Sequence, residues 1–236
     1  MLNAVGREIP EEILERTGKE VFQGNNYKDG KAFQKASPKV TPVMRNDHDK
    51  MVKDIHEALV KCNAHDGMTV SFHHHFREGD LVVCMVMEEI HKMGFKNITL
   101  SASSLGKAHD ALVPMIEDGT IVNIESSGVR GKIGDAISHG KLKGLATMRS
   151  HAIETGETHV DIAFIGAPSC DEYGNCSGMG GKTNCGVLSY AYVDAEMADY
   201  VVAVTDCLVD YPNYPAEINQ TKVDYVCVVD QIGIPE

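Results

Sequence analysis

Tryptophan is absent and aromatic residues make up only 6% of the chain, too few for the stacking platforms that hold single-stranded nucleic acid. Basic residues are outnumbered, 22 Lys and Arg against 34 Asp and Glu, for a formal charge of −12. Non-specific binding to nucleic acid or to an anionic membrane needs a positive field, so the composition argues against both. A small anionic ligand stays compatible, because it answers to local arginines and helix N-termini. The seven cysteines include no CxxC pair. The plain expectation is reduced thiols in a cytoplasmic protein, with no signal peptide and no transmembrane run. What is present is 43% hydrophobic content over 236 residues. That suffices for one large domain, or a domain with an arm, that folds without disulfides.

The chain is organised around Asp66 to Asp80. Asp66-Gly67 signals a turn, and Met68 to Phe72 has the unbroken apolar character of a strand buried on both faces. Leu81 to Met93 predicts a helix, with Asp80 near its positive end. Between strand and helix stand His73, His74, His75 and Arg77. In open α/β sheets ligands bind at the carboxyl ends of strands, which is where this loop falls.

Residues 1 to 45 differ from the rest and predict an N-terminal arm, with a short helix from Pro10 and a polar, aperiodic stretch from Gly24 to Lys31. The domain then spans 46–236. Arg45 to Cys62 has helical periodicity. Strands are expected at Asn97–Ser101, Thr120–Ser126, Leu145–Met148, Val160–Ala167, Tyr200–Thr205 and Val223–Val229. Helical stretches at Ala108–Asp118, Lys132–Ser138 and Val187–Ala198 alternate with them. The alternation predicts an α/β fold with a mainly parallel sheet flanked by helices.

Three constellations bear on chemistry. Successive residues of an extended segment point to opposite sides, so three adjacent histidines do not easily share one metal, and no metal site is assigned. As hydrogen-bond donors beside Arg77 they suit a carboxylate or a thioester carbonyl, although surface or helix-capping histidines would look the same. Arg77, Arg130 and Arg149 each fall at or near a strand end. Guanidinium forks there suit a polycarboxylate, although any single one is more often a structural ion-pair arginine. The loop from Asp171 to Gly181 is rich in glycine, which lets backbone N–H groups approach a ligand. It matches neither a Walker A nor a dinucleotide fingerprint, and a structural turn with buried thiols explains it equally well.

Two of these stretches carry a resemblance. Asp66-Gly67, the loop His73 to Arg77, and the turn Asp171-Glu172-Tyr173-Gly174-Asn175 resemble motifs of the CoA-transferase superfamily. The particular run Ser71 to Asp80 is similar to the citrate lyase alpha subunit family. So are Gly6-Arg7-Glu8-Ile9-Pro10, Ser126-Ser127-Gly128-Val129-Arg130-Gly131 and Gly166-Ala167-Pro168-Ser169-Cys170-Asp171. The resemblance covers essentially the whole chain and implies a CoA-transferase-like α/β fold. It implies transfer of an acyl-carrier-protein or CoA thioester from acetyl to citrate, giving citryl thioester and acetate. It further implies CoA, or a phosphopantetheine-type thioester on the carrier, as substrate, and no metal requirement for the transfer. The implied partners are a beta subunit, which cleaves the citryl thioester, and a gamma subunit, the acyl carrier protein. A homo-oligomer is expected as well.

By the same resemblance His73, His74, His75 and Arg77 fall near the reacting groups. Ser126, Ser127 and Arg130 take citrate carboxylates. Asn175, Gly178, Gly180 and Gly181 take the thioester arm. No catalytic nucleophile is assigned: where the superfamily uses a covalent thioester mechanism its glutamate belongs to a second domain absent from this sequence, and the resemblance implies instead direct transfer through an anhydride between citrate and the acyl group. A second departure is that the family's Gly-Gly-Arg loop is missing where Ser150-His151 runs into Ala152. Two alternatives stay open. One is another CoA transferase or a sugar-phosphate isomerase-like α/β enzyme. The other is a non-catalytic half whose site needs a second chain.

Overall fold

A computed structural model describes residues 1–3, 6–18, 21, 27–28, 31–32, 49–73, 76–146 and 149–234. Two compact units emerge, Met1–Ala36 and Ser37–Glu236. In the first, helix α1 (Glu11–Thr17) follows Pro10 and ends at Gly18, which adopts φ 62° and donates its N–H to the Leu14 carbonyl. That left-handed C-cap is the geometry for which glycine carries no penalty. Strands β1 (Tyr27–Lys28) and β2 (Lys31–Ala32) pair antiparallel.

The second unit is built on one sheet. Its strands are β3 (Met51–Val52), β4 (Thr69–Phe72), β5 (Ile98–Ala102), β6 (Ile121–Ser126), β7 (Lys143–Ala146), β8 (Ile162–Gly166), β11 (Tyr200–Thr205) and β12 (Tyr225–Val228). The order is β3-β12-β11-β8-β4-β5-β6-β7, and each adjacent pair is parallel. The intervening short pair, β9 (Ser169–Cys170) and β10 (Cys176–Ser177), is antiparallel and separate from it.

Parallel strands buried on both faces explain the apolar runs. Val70, Phe72, Leu100, Ile124, Phe164, Val202 and Val204 face one side, in a core shared with helices α2 (Ile55–Lys61), α3 (Val82–Lys92), α4 (Val113–Glu117) and α5 (Gly131–Ser138). Phe72 and Phe164 stack there with ring centroids 5.9 Å apart. Ala163, Ile165, Val201, Ala203 and Val226 face the other side, against α6 (Arg149–Thr155) and α7 (Ala191–Met197). Alanines on that face let the two helices lie close.

Two local expectations are corrected. The helical periodicity from Arg45 to Cys62 does not give one helix. Met51–Val52 instead pairs with β12 as an edge strand, and the helix begins only after Asp54, whose carboxylate accepts the Glu57 N–H at 2.9 Å. Residues 45–48 lie outside the described part. The helical stretch over Ala108–Asp118, in which Pro114 is expected as a kink or an early boundary, is divided in two, and Pro114 stands at the boundary. A 3-10 turn occupies Lys107–Leu112, and Pro114 enters the first turn of α4, where a missing N–H costs nothing.

Candidate active site at the carboxyl edge of the sheet

The strand order marks a candidate position for a ligand. From β4 the chain steps outward through β5, β6 and β7, then returns to place β8 on the opposite side of β4 and continues through β11 and β12. The crossover reverses between β4 and β8, and in such sheets the crevice opens outside the carboxyl ends at the reversal. His73 directly follows β4 and is 5% exposed. Ala167 and Pro168 directly follow β8.

The loops that extend these strands are tied together. Ser103, after β5, donates its N–H to the Phe72 carbonyl at 3.3 Å and accepts the Ser127 N–H at 3.3 Å. The Leu105 N–H reaches the Gly128 carbonyl at 2.9 Å, and the Arg130 N–H reaches the Leu105 carbonyl at 2.9 Å. Backbone pairing therefore continues past the strands and carries Ser127 and Arg130, both exposed, at the same edge. Arg130 sits at the entrance to α5. The Ser126 hydroxyl is committed to the loop itself, donating to the Gly128 carbonyl and accepting the Gly128 N–H.

The segment after β4 is braced from beneath. Gly106 donates its N–H to His109 Nδ1 at 3.0 Å, so Nδ1 is an acceptor and the ring proton is on Nε2. Nε2 then donates to Asp80 Oδ2 at 3.0 Å, with both side chains buried. Asp80 also accepts the N–H groups of Val82 and Val83, at the start of α3. Phe76 turns inward, and its ring occupies the space that a Cβ on Gly166 or Gly233 would need. The loop is thereby anchored at both ends. His74, His75 and the Arg77 side chain lie outside the described residues.

On the β8 side the glycine-rich loop closes on the chain itself. A Cβ on Gly181 would overlap the Pro168 carbonyl, and one on Gly178 would overlap the Gly186 carbonyl. The Gly178 N–H is taken by Glu217, which also accepts from Leu188 N–H at 2.6 Å. Gly180, at φ 93°, lies exposed against Ser169. Asp171 to Asn175 forms a turn with buried ends and an exposed Glu172: Asp171 accepts from the N–H groups of Tyr173, Asn175 and Asn213 and from the Asn175 amide. The other hydrogen bonds of the Asn175 side chain go to Gln220. Asn175 is 5% exposed, so its side chain serves this turn. Of the four residues assigned to a thioester arm, Gly180 packs against Ser169 and Gly181 against the Pro168 carbonyl, just past the end of β8.

Arg149 takes a different place from the one its sequence position suggests. It begins α6 with 2% exposure and reaches under the sheet, donating to Ser101 Oγ at 3.0 Å, Ser71 Oγ at 2.6 Å and Asp194 Oδ1 at 2.7 Å. Ser71 and Ser101 are cross-strand neighbours on β4 and β5, and they face the α6–α7 layer. This is a buried ion pair that joins both helices to the sheet. Burial pushes the Asp194 carboxyl above the usual range, against the pull of Arg149. A second residue that sequence patterns do not reveal is Asp206, directly after β11. It is 8% exposed and accepts the Ile232 N–H at 3.1 Å.

Two other features lie away from the crossover. A cavity of about 570 Å³ opens by α2, α3 and the end of β12. Its lining mixes Lys53 and His56 with Asp54, Glu89 and Asp230, so it holds no clear preference for an anion. Among the described residues, the one cluster with metal-ligand character, His159, Asp161 and Asp199, lies at the opposite, amino-terminal edge of β8 and β11.

The comparisons agree with this architecture. The family model for citrate lyase, alpha subunit, matches residues 48–236. This chain belongs to the citrate lyase alpha subunit family. The citrate lyase alpha chain of Escherichia coli (strain K12) is 47% identical over 208 residues, which cover 86% of this chain and 41% of that one. A Streptococcus mutans structure, described as the alpha subunit of citrate lyase in complex with citrate, superposes with a TM-score of 0.83 at 47% identity. It covers 99% of this chain and 46% of that one. Glutaconate coenzyme A-transferase from Acidaminococcus fermentans has a TM-score of 0.56 at 14% identity, covering 76% of this chain and 75% of that one. That likeness bears on fold alone and identifies a CoA-transferase-like sheet. The chain spans less than half the length of the citrate lyase relatives it matches. Among the described residues, no helix is long and apolar enough to cross a membrane.

Proposed function

We propose that this chain supplies the carboxyl-edge site of a citrate lyase alpha subunit. There the thioester of CoA, or of an acyl carrier protein, is exchanged from acetyl to citrate, releasing acetate. The observation that carries this reading is the crossover reversal between β4 and β8, with His73 at its mouth, in a chain of this family. Such a transfer needs a citrate carboxylate held against a thioester carbonyl, so positioning and oxyanion stabilisation supply most of the rate. His73, with His74, His75 and Arg77 beside it in sequence, is assigned to the reacting groups. Arg130, exposed at the same edge, is assigned with Ser127 to citrate carboxylates; Ser126 shapes the loop that holds them. The backbone of Gly180 and Gly181 is assigned to the thioester arm. The partners that fit this role are a lyase subunit acting on the citryl thioester and an acyl carrier protein.

The test is mass-spectrometric detection of citryl-CoA and acetate from acetyl-CoA and citrate, using the full-length polypeptide. Arg130→Ala is expected to raise the citrate KM by about tenfold or more, the loss of a charge-assisted contact, with kcat little changed. An unchanged KM removes Arg130 from the site. Exchange with other acids but not citrate would assign the chain to a different CoA transferase. The length comparison favours one second reading, a half-site completed by further chain. Citrate binding without turnover would establish that reading instead.

A further inference from the structure

The short pair β9–β10 holds two thiols in an unusual relation. Its register sets Cys170 directly opposite Cys176 and Ser169 opposite Ser177. The Cys170 N–H points away from its partner strand to the Cys207 carbonyl at 3.2 Å, and the Cys176 N–H points away to Ile218 at 2.9 Å. The ladder bond between the strands falls one residue on, from Asp171 N–H to the Asn175 carbonyl. Cys170 and Cys176 therefore form a non-hydrogen-bonded pair, whose Cα atoms lie about 4.5 Å apart. That spacing is within the ~4.4–6.8 Å a disulfide spans. The sulfurs are already in contact at 3.5 Å. The other five cysteines are dispersed: Cys62 at the end of α2, Cys84 in α3, Cys185 in the glycine-rich loop, Cys207 after β11 and Cys227 in β12.

We propose that Cys170 and Cys176 are a disulfide-forming pair, oxidised by small-molecule disulfides. One thiolate attacks the oxidant's disulfide, displacing one thiol and leaving a mixed disulfide. The second cysteine attacks that mixed disulfide, displaces the other thiol, and closes the Sγ–Sγ bond across β9–β10. Two protein thiols and one oxidant disulfide thus give one protein disulfide and two small thiols. Both sulfurs are fully buried, so the exchange proceeds through brief openings of residues 170–177. The hydrogen bond to Cys176, with burial, holds the Cys170 thiol well above its ordinary range. The buried Lys50 side chain, bonded to the carbonyls of Gln220 and Val223, acts in the opposite sense on the Cys170 thiol. Once closed, the crosslink fixes the Asp171–Asn175 turn and the base of the glycine-rich loop.

The test incubates the folded protein with oxidised glutathione, then counts thiols after denaturation and maps tryptic peptides. The expected count falls from seven to five. The peptide Ser150–Lys182, which carries both Cys170 and Cys176 and no other cysteine, is expected to lose two hydrogen atoms in mass and regain them with reductant. Cys207→Ser, next to the pair, should leave this loss intact, whereas Cys176→Ala should abolish it. Retention of all seven thiols at pH 8.5 after prolonged exposure would overturn the assignment. So would a disulfide that maps to any other peptide.

Discussion

The buried pair of Arg149 and Asp194 makes a prediction that can be worked through quantitatively. Replacing Arg149 by Met keeps much of the side chain's volume but strips Asp194 of its cation. Asp194 is 1% exposed, and it belongs to α7 while Arg149 begins α6. Removing one partner of such a pair typically costs about 3–5 kcal/mol, because a charge is left buried without compensation. That is a large share of the ~5–15 kcal/mol by which a domain is stable. The carboxyl has an escape, which is to take up a proton. Burial already raises its folded pKa against the pull of Arg149, and without Arg149 it rises further. A group whose folded pKa is raised contributes its stability below the unfolded value and loses it as pH rises toward the folded value.

The deficit of Arg149→Met relative to the wild-type chain should therefore shrink on acidification. Each pH unit between the two pKa values changes stability by about 1.36 kcal/mol. Between pH 7.5 and 5.5 the deficit should narrow by up to about 2.7 kcal/mol, twice that figure. Urea denaturation at both pH values, on the single variants and the double variant Arg149→Met with Asp194→Leu, measures this directly. The double variant should lose the pH dependence and recover part of the stability, since an apolar replacement of a buried pair is often neutral. A deficit that is the same at both pH values, or additive single-variant effects, would refute the reasoning.

Other predictions follow from the same geometry. Gly181→Ala should abolish soluble folded protein or lower Tm by many degrees, since a Cβ there overlaps the Pro168 carbonyl; a thermal melt indistinguishable from wild type would mean the loop can be displaced. Glu217→Ala should cost about 1.5–3 kcal/mol in urea denaturation, because its carboxylate accepts the N–H groups of Gly178 and Leu188. Asp118 is held well below the usual carboxylate range, first by the Thr120 hydroxyl and then by Lys96. Its contribution is present above about pH 4 and is lost as pH falls further, so Asp118→Asn should flatten the acid limb of a Tm-versus-pH curve. An unchanged limb would show that solvent screens the contact.

What the sequence made legible follows from burial. Val201–Val204 and Ile162–Ile165 are covered on both faces, so every position is apolar and each strand stands out against the polar residues around it. The edge strand Met51–Val52 has only two residues, one of them half-buried, and it merges into the periodicity of the helix after it. Helix α6 contributes just Ala152 and Ile153 to the core besides Arg149, too little apolar signal in a polar stretch to announce a helix. The site divides along the same line. Local motifs locate the loops at the carboxyl edge, because turn residues and strand ends are local properties. They do not reveal what an arginine meets. Arg149 and Arg130 both follow strands, yet one pairs with Asp194, 45 residues on, while the other stays exposed at the crossover edge. Nor does glycine content say whether a backbone opens toward a ligand or closes on its own chain. Gly178 closes on Gly186 and Glu217, whereas Gly180 remains at the surface. Partners distant in sequence decide these cases. Substituting Arg130 and Arg149 separately should therefore give opposite results: a changed citrate KM at full stability for Arg130→Ala, and lost stability for Arg149→Met. A matching pair of phenotypes would mean that both arginines share one environment, contrary to their burial.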